Sequence, residues 1–362
     1  AGVRPILLEQ GRRVEERARD VRVLRATGAL DPFSNVSFGE GGAGTFSDGK
    51  LRTRKKDRAI RDVIATFVAH GARASLLAEA HPHVGTDVLY GVARSIRREL
   101  EAVGADLRFE ARVVDVVVHE GRIVGVLLAD GQEIAGEGII VAPGNSARPL
   151  FAALHARGVH VEARATAVGF RVEHPRAWVD RTQYGALAAG LDAAEYALRA
   201  QVEGRGVYSF CMCPGGSVIP SHVEPDTVRV NGMSTSRRGS PWSNSAIVVT
   251  VEPCDFVLPG RAARAGEPLD GVAYQQAWEA QAAAWTGAAG VAPAQGVAVF
   301  LARRESARLP DTSYRPAAQP APLHAFYPPS LTTALAAGLR VFERRMPGFA
   351  GRDAWLIGPE SG

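Results

Sequence analysis

Between Asp87 and Ala142 the hydrophobic period changes in a fixed order, and few folds accommodate that order. Leu89, Val92, Ala93, Ile96, Leu100 and Val103 recur at helical spacing with arginines and glutamates opposite, which predicts an amphipathic helix over 87–104. Then follow Leu107 to Phe109, Val113 to Val118, a Glu120-Gly121 turn, Ile123 to Leu128, an Asp130-Gly131 turn and the apolar run Gly138 to Ala142. Helix, strand, antiparallel meander and buried strand in succession is the order of a nucleotide-binding α/β domain with an inserted meander. The opening AGVRPILLEQG suits it, with a tight Gly2 turn, a strand from Val3 to Leu8 and Glu9 at its carboxyl end. A buried parallel strand needs a neighbour on each side, so a preceding segment is expected upstream.

After Val161 the texture changes. Strand-like stretches TAVGFRVEH, GVYSFCMC, TVRVNGM, AIVVTVE and GVAVFLA alternate with Pro/Gly-rich loops, with one alanine-rich helix from Val272 to Trp285. Arg315 to Pro329 reads as a long proline-rich surface connection, Leu331 to Met346 as a helix, and LIGPESG as a strand and loop. The expected domains are 1–164 and 165–350, with 351–362 returning to the first.

At 362 residues, two domains are the natural division. Hydrophobic residues at 46% and charged residues at 22% exclude a disordered chain. No apolar run approaches the roughly 20 residues that span a bilayer, and no signal-peptide pattern opens the sequence, so no membrane partner and a cytoplasmic location are expected. Three cysteines, Cys211, Cys213 and Cys254, argue against a disulfide framework. The net charge of +4 is small and carried mostly by dispersed arginines, and the one dense basic run is Lys50 to Arg58, so nucleic acid is a disfavoured partner. The oligomeric state is left open.

Several motifs have both a chemical and a bland reading. Glu9, ending a short apolar strand, stands where dinucleotide folds place an acid for the ribose hydroxyls, or it is a surface glutamate. Gly39 to Gly44 (GEGGAG) fits G-x-G-x-x-G but lacks a strand before it and a helix after it. Gly44 to Lys50 (GTFSDGK) fits a phosphate loop except that Leu51 replaces the magnesium-binding Ser or Thr, which opposes a triphosphatase. What survives is a glycine-rich loop able to bring backbone amides close to an anion or a flat ring. Cys211-Met212-Cys213 lacks a second pair for zinc and reads either as buried thiols at a strand end or as a redox pair.

Taken together, Glu9, GEGGAGTFSDGKLRTRKKD, HPHVGTD, IIVAPGNSAR, VGFRVEHP, YSFCMCPGG and VNGMS resemble a bacterial family of FAD-dependent dehydrogenases, related to glutathione-reductase-type flavoproteins. The resemblance runs along essentially the whole chain. It implies an α/β fold: a Rossmann-like FAD/NAD(P)-binding domain with a parallel sheet and β-meander, plus a second α+β substrate domain. It further implies truncation at both ends, with the fingerprint turn and the flavin-closing loop absent and Gly362 standing where the family has an arginine.

Carried over residue by residue, it implies that Glu9 binds the adenosine ribose, that Gly41, Gly42, Gly44, Ser47, Gly49 and Lys50 line the flavin and pyrophosphate, that Val113 meets adenine through its backbone, and that Ala142 and Gly144 approach the cofactor. His174, Tyr184, Cys211, Cys213, Asn231 and Asn244 are the candidates to face the flavin from the second domain, because they can move protons or orient a polar substrate. The activity implied is hydride transfer between FAD and a small-molecule substrate, with NAD(P)H as a candidate electron donor. The alternative is a flavin- or nucleotide-binding protein acting on RNA through the Lys50 to Arg58 run.

Overall fold

The computed structural model describes residues 4–47, 49–51, 57–79, 82–256, 258, 266–306 and 311–361. Gly2, Val3, most of the basic run (52–56) and Gly362 lie outside the described residues.

The first part opens with β1 (Ile6–Leu8) and α1 (Val14–Thr27), followed by an irregular stretch, α2 (Ala59–Ala69) and α3 (Thr86–Ala102). Then come β2 (Asp106–Arg108), the meander β3 (Val113–His119), β4 (Arg122–Leu128) and β5 (Glu133–Ala135), and α4 (Arg148–Ala156). β1 and β2 pair in parallel, with Leu7 opposite Leu107. The meander forms as its turn signals require: Glu120 and Gly121 both take positive φ, at 48° and 73°, which suits the twist of a two-residue hairpin.

One expectation fails here. Ile139 to Ala142 forms no strand and does not join β1 in a parallel sheet; Ile140 is 94% exposed. The two segments still share a cluster, since Leu8 and Ile139 both pack against Val116, Val126 and Leu154. An apolar run becomes a strand only where a neighbour accepts its ladder bonds, and none of the described residues does so.

The second part contains β6 (Thr166–Pro175), α5 (Arg176–Tyr184), β7 (Arg199–Val202), β8 (Arg205–Cys213), β9 (Ser217–Pro220), β10 (Val230–Met233) and β11 (Trp242–Val251). α6 (Asp270–Thr286), β12 (Ala292–Gly296), α7 (Val297–Leu301), β13 (Ala318–Pro320), α8 (Pro329–Arg345) and β14 (Trp355–Glu360) complete it. Seven strands form one mixed sheet in the order β13-β12-β14-β6-β11-β8-β7, and β9 and β10 form a separate hairpin.

Three further expectations are corrected. The 351–362 segment does not return to the first part, because β14 is inserted between β12 and β6 of the large sheet. The GVAVFLA run is helical over Val297–Leu301, since a short apolar run reads equally well as a buried helix. The 315–329 stretch is not a surface connection: Leu323, Phe326 and Tyr327 are buried, the last two ring to ring with Trp278.

Alternation along β6 sends Phe170, Val172 and His174 to one face and Arg171 and Glu173 to the other. The first face is the main core. Phe170 meets Phe300, Phe326 and Tyr327, and Gly338 of α8 lies so close to Val207 that an added Cβ would sit 2.4 Å from its Cγ1. The second face is polar and is covered by β10, whose Asn231 reaches Arg171.

Candidate functional site

Glu9 follows β1 at its carboxyl end, the edge where open α/β sheets hold ligands. Its Oε1 accepts from the amides of Gly11 (2.8 Å) and Gly39 (2.9 Å), drawing the glycine-rich loop onto the strand end. The two backbones cross so closely that a Cβ on Gly11 would stand 2.6 Å from the Gly39 Cα, so the crossing requires glycine.

Arg17 of α1, fully buried, fixes the loop from beneath. Its guanidinium donates to the carbonyls of Asn35, Val36, Gly39, Glu40 and Gly42 at 2.6–3.0 Å. Burial pulls its pKa down to about 10, against the pull of Glu9 and Glu40.

GEGGAG neither leaves a strand nor opens an α-helix; only a short 3-10 turn, Ala43–Thr45, begins at its end. Gly41 is packed against Thr45, whereas a Cβ on Gly42 or Gly44 would meet nothing within 4 Å. Exposed glycines beside a strand-end carboxylate fit a flat or anionic group. Val113 opens β3 next to Leu8 on the shared cluster. Gly144, at φ 74°, is also open, and the Ser146 hydroxyl lies 3.3 Å from that of Ser37, which brings the 142–146 loop beside the loop that Arg17 holds. Ala142 itself is exposed.

Ser47 donates its amide to Ala43, and Gly49 packs on the Gly85 backbone. Lys50 lies elsewhere. Its Nζ reaches the Met212 carbonyl and both sulfurs, Cys211 Sγ at 3.9 Å and Cys213 Sγ at 3.8 Å. The 39–50 segment is thus pinned by Glu9 at one end and by the thiols at the other.

Arg171, 0% exposed, organises the polar face. Its Nε donates to Asn244 Oδ1 (3.0 Å), Nη1 to Asn231 Oδ1 and Glu360 Oε2 (both 3.3 Å), and Nη2 to the Cys211 carbonyl (2.7 Å) and Cys213 Sγ (3.6 Å). Burial works against its charge, but Glu360 and the two thiols outweigh it and its pKa is raised. Asn244 Nδ2 is buried without a hydrogen-bond partner.

The structure therefore brings Cys211, Cys213, Asn231 and Asn244 together and leaves out two other candidates. His174 is on the opposite face, where its Nε2–H donates to the Phe349 carbonyl (2.8 Å) and its ring stacks on Trp178. Tyr184 ends α5 and packs against the same apolar core. Arg171 is not among the candidates drawn from the motifs, although an arginine and a glutamate two apart in the otherwise apolar TAVGFRVEH are the signal that one face of that strand is not core.

A second buried ionic cluster ties the two parts of the chain together. Arg148 of α4 grips Glu279 of α6 through two bonds of 2.9 and 2.7 Å, and Ser361 donates to the same carboxylate at 2.6 Å. Arg229 reaches the hydroxyls of Ser37 (3.2 Å) and Ser146 (3.3 Å). Burial raises the Glu279 pKa, yet Arg148 and Arg229 reverse this and leave it lowered.

Residues 165–362 match the family described as "FAD-dependent protein, C-terminal domain-like". The chain belongs to the FAD-dependent protein family. A relative from Clostridium beijerinckii, described as an uncharacterized protein, is 37% identical over 366 residues, which is 99% of this chain and 67% of the relative. Among solved structures, glycine oxidase from Bacillus cereus is similar at 12% identity over 47% of this chain and 33% of its own, with a TM-score of 0.24. CtdE in complex with FAD is similar at 9% identity over 77% of this chain and 48% of its own, with a TM-score of 0.26. Scores this low carry no weight for this FAD-dependent family member. The chain spans less than half of either solved structure. Among the described residues no helix is long and apolar enough to cross a membrane, and no group of three His, Cys, Asp or Glu could hold a metal.

Proposed function

We propose that this member of the FAD-dependent family is an oxidoreductase that binds FAD along the Glu9 and Gly39–Gly44 loop and acts on a small molecule at the polar face of the large sheet. The observation that carries the reading is the 39–50 segment, whose Gly39 end is bonded to Glu9 and whose Lys50 end touches Cys211 and Cys213. One loop links a ribose-type carboxylate to a cluster of titratable and polar side chains.

The chemistry that FAD supplies when bound is the acceptance or donation of a hydride. Glu9 would hold ribose hydroxyls, while the exposed amides around Gly42 and Gly44 would meet the pyrophosphate or ring. Val113, Ala142 and Gly144 would line the same cofactor. Asn231 and Asn244, fixed by Arg171, would orient a polar substrate, with the buried Asn244 Nδ2 as the spare donor.

The test is to purify the full-length gene product and record its absorption spectrum, then add NADH or NADPH anaerobically. Bound oxidised flavin is expected, with bleaching by whichever nicotinamide donates. Glu9→Gln should weaken FAD binding roughly tenfold or more, because hydrogen bonds to a charged group contribute about 1.5–3 kcal/mol. A colourless protein, or unchanged FAD affinity in Glu9→Gln, would overturn the reading.

A further inference from the structure

β8 does not run straight into its last residues. Asn244 of β11 faces Cys213 and Ala246 faces Phe210, so β8 carries one residue more than its partner at this point, a β-bulge. Cys211 lies inside it with φ 47°, a left-handed conformation that costs a non-glycine residue free energy. Bulges of this kind re-aim a side chain out of the ladder. The result is an asymmetric pair, with Cys211 half-buried and Cys213 fully buried.

Two cations converge on the pair. The Lys50 ammonium lies 3.9 Å from Cys211 Sγ and 3.8 Å from Cys213 Sγ, and the Arg171 guanidinium lies 3.6 Å from Cys213 Sγ. A cation beside a sulfur favours the thiolate, which is the nucleophile in sulfur chemistry. Cys213 Sγ is also only 3.4 Å from the Cys211 carbonyl, so the second sulfur is folded back over the residue that carries the first. A merely structural sulfur is surrounded by apolar groups, as Met212 is, whereas these two face an ammonium and a guanidinium.

We propose that Cys211 and Cys213 form a redox-active dithiol that exchanges with a disulfide substrate, Cys211 attacking and Cys213 resolving. The Cys211 thiolate bonds to one sulfur of the substrate, the substrate S–S bond breaks, and the first thiol leaves. Cys213 then attacks Cys211 Sγ, the mixed disulfide breaks, an internal disulfide forms and the second thiol leaves. Two electrons pass to the substrate: the cysteines are oxidised and the disulfide is reduced to two thiols. The two protons come from the cysteines or, where these are already thiolates, from water. Exchange needs no flavin, so it stands or falls separately from FAD binding.

The experiment uses the full-length protein with Cys254 and every other cysteine except Cys211 and Cys213 replaced by serine, and dithiobis-nitrobenzoate as the disulfide probe. About two equivalents of coloured thiol should be released, leaving the 211–213 peptide two hydrogens lighter and free of adduct by mass spectrometry. Cys213→Ser should stop at about one equivalent, with one adduct retained on Cys211. Alkylation of Cys211 at about pH 6.5 should be roughly tenfold or more faster than for an ordinary thiol. Lys50→Met should slow it about tenfold and Lys50→Arg should restore most of the rate, which separates charge from folding. Two adducts retained on the peptide, no reaction in the folded protein, or rates indifferent to Lys50 would each overturn the proposal.

Discussion

Phe170 and Arg171 are neighbours in sequence and occupy opposite faces of β6, and each is buried by different physics. Phe170 is held by rings from α7 and the 323–327 segment, contacts that have no direction and share one solvent-excluded core. Arg171 is held by directed bonds from four separate places, Asn231, Asn244, the Cys211–Cys213 strand end and Glu360. An apolar face tolerates exchange of one hydrocarbon for another, whereas a buried cation tolerates nothing that leaves its partners unmatched. The core face therefore supplies stability, and the polar face fixes where a set of polar and titratable groups must stand.

The largest effect tests that difference directly. Phe170→Ala should cost about 3–5 kcal/mol in urea unfolding of the full-length protein through lost contacts and the cavity left behind. Arg171→Met should cost a similar amount, about 3–5 kcal/mol, because Glu360 is left charged and buried. Glu360→Gln added to Arg171→Met should recover part of the loss, while no polar change should rescue Phe170→Ala. If the double variant is no more stable than Arg171→Met alone, the guanidinium is acting by packing and the two faces do not differ as described.

A titration separates the faces next. His174 is on the core face, where burial pulls its pKa down from 6.5 to about 4 despite the bond to the Phe349 carbonyl, and its Nδ1 has no partner to welcome a proton. A folded value below the ordinary one favours the neutral ring. Its stabilisation is full above pH 6.5 and is lost as the pH falls from 6.5 through about 4. Complete loss is on the order of 3 kcal/mol. His174→Phe keeps a ring against Trp178 and removes the proton site, so its unfolding midpoint should fall less steeply across that window. Parallel curves would show that the ring is reached by solvent before unfolding.

What was legible in the sequence follows from how local each signal is. The Glu120-Gly121 hairpin, the α3 helix and the Thr166–Pro175 strand depend on neighbours a few residues away, and all formed. Ile139–Ala142 needed a partner strand, and GVAVFLA carried hydrophobicity without a period, so neither could be decided locally. The prolines of 315–329 suggested surface, yet the aromatic pair Phe326 and Tyr327 within it belongs to the core. Of the candidates offered by their motifs, Cys211, Cys213, Asn231 and Asn244 gather around Arg171, while His174 lies on the other face, one step of strand alternation away. Arg171 escaped notice because a lone arginine in an apolar strand gives no hint of partners 40 to 189 residues away.

The smallest effect divides the polar face within itself. Glu360 faces a cation, whereas Glu173 is held by neutral donors: the Thr312 hydroxyl (2.7 Å), the Ser313 amide (3.0 Å) and the Ser313 hydroxyl. Burial raises the Glu173 pKa above the ordinary 4.5, and these donors with the more distant Arg171 only partly offset it. A raised folded value means that folding favours the protonated acid over the carboxylate relative to the unfolded chain. Its contribution is full below pH 4.5 and is lost as the pH rises through the folded value. Glu173→Gln keeps an oxygen for Thr312 and the Ser313 amide and turns an amide toward the Ser313 hydroxyl, so at neutral pH it should alter stability by no more than about 1 kcal/mol. The wild type should gain on the variant as the solution is acidified toward pH 4.5. If its advantage instead grows as the pH rises, the carboxylate is stabilising in its charged form, Arg171 governs both acids, and the polar face acts as a single ionic unit.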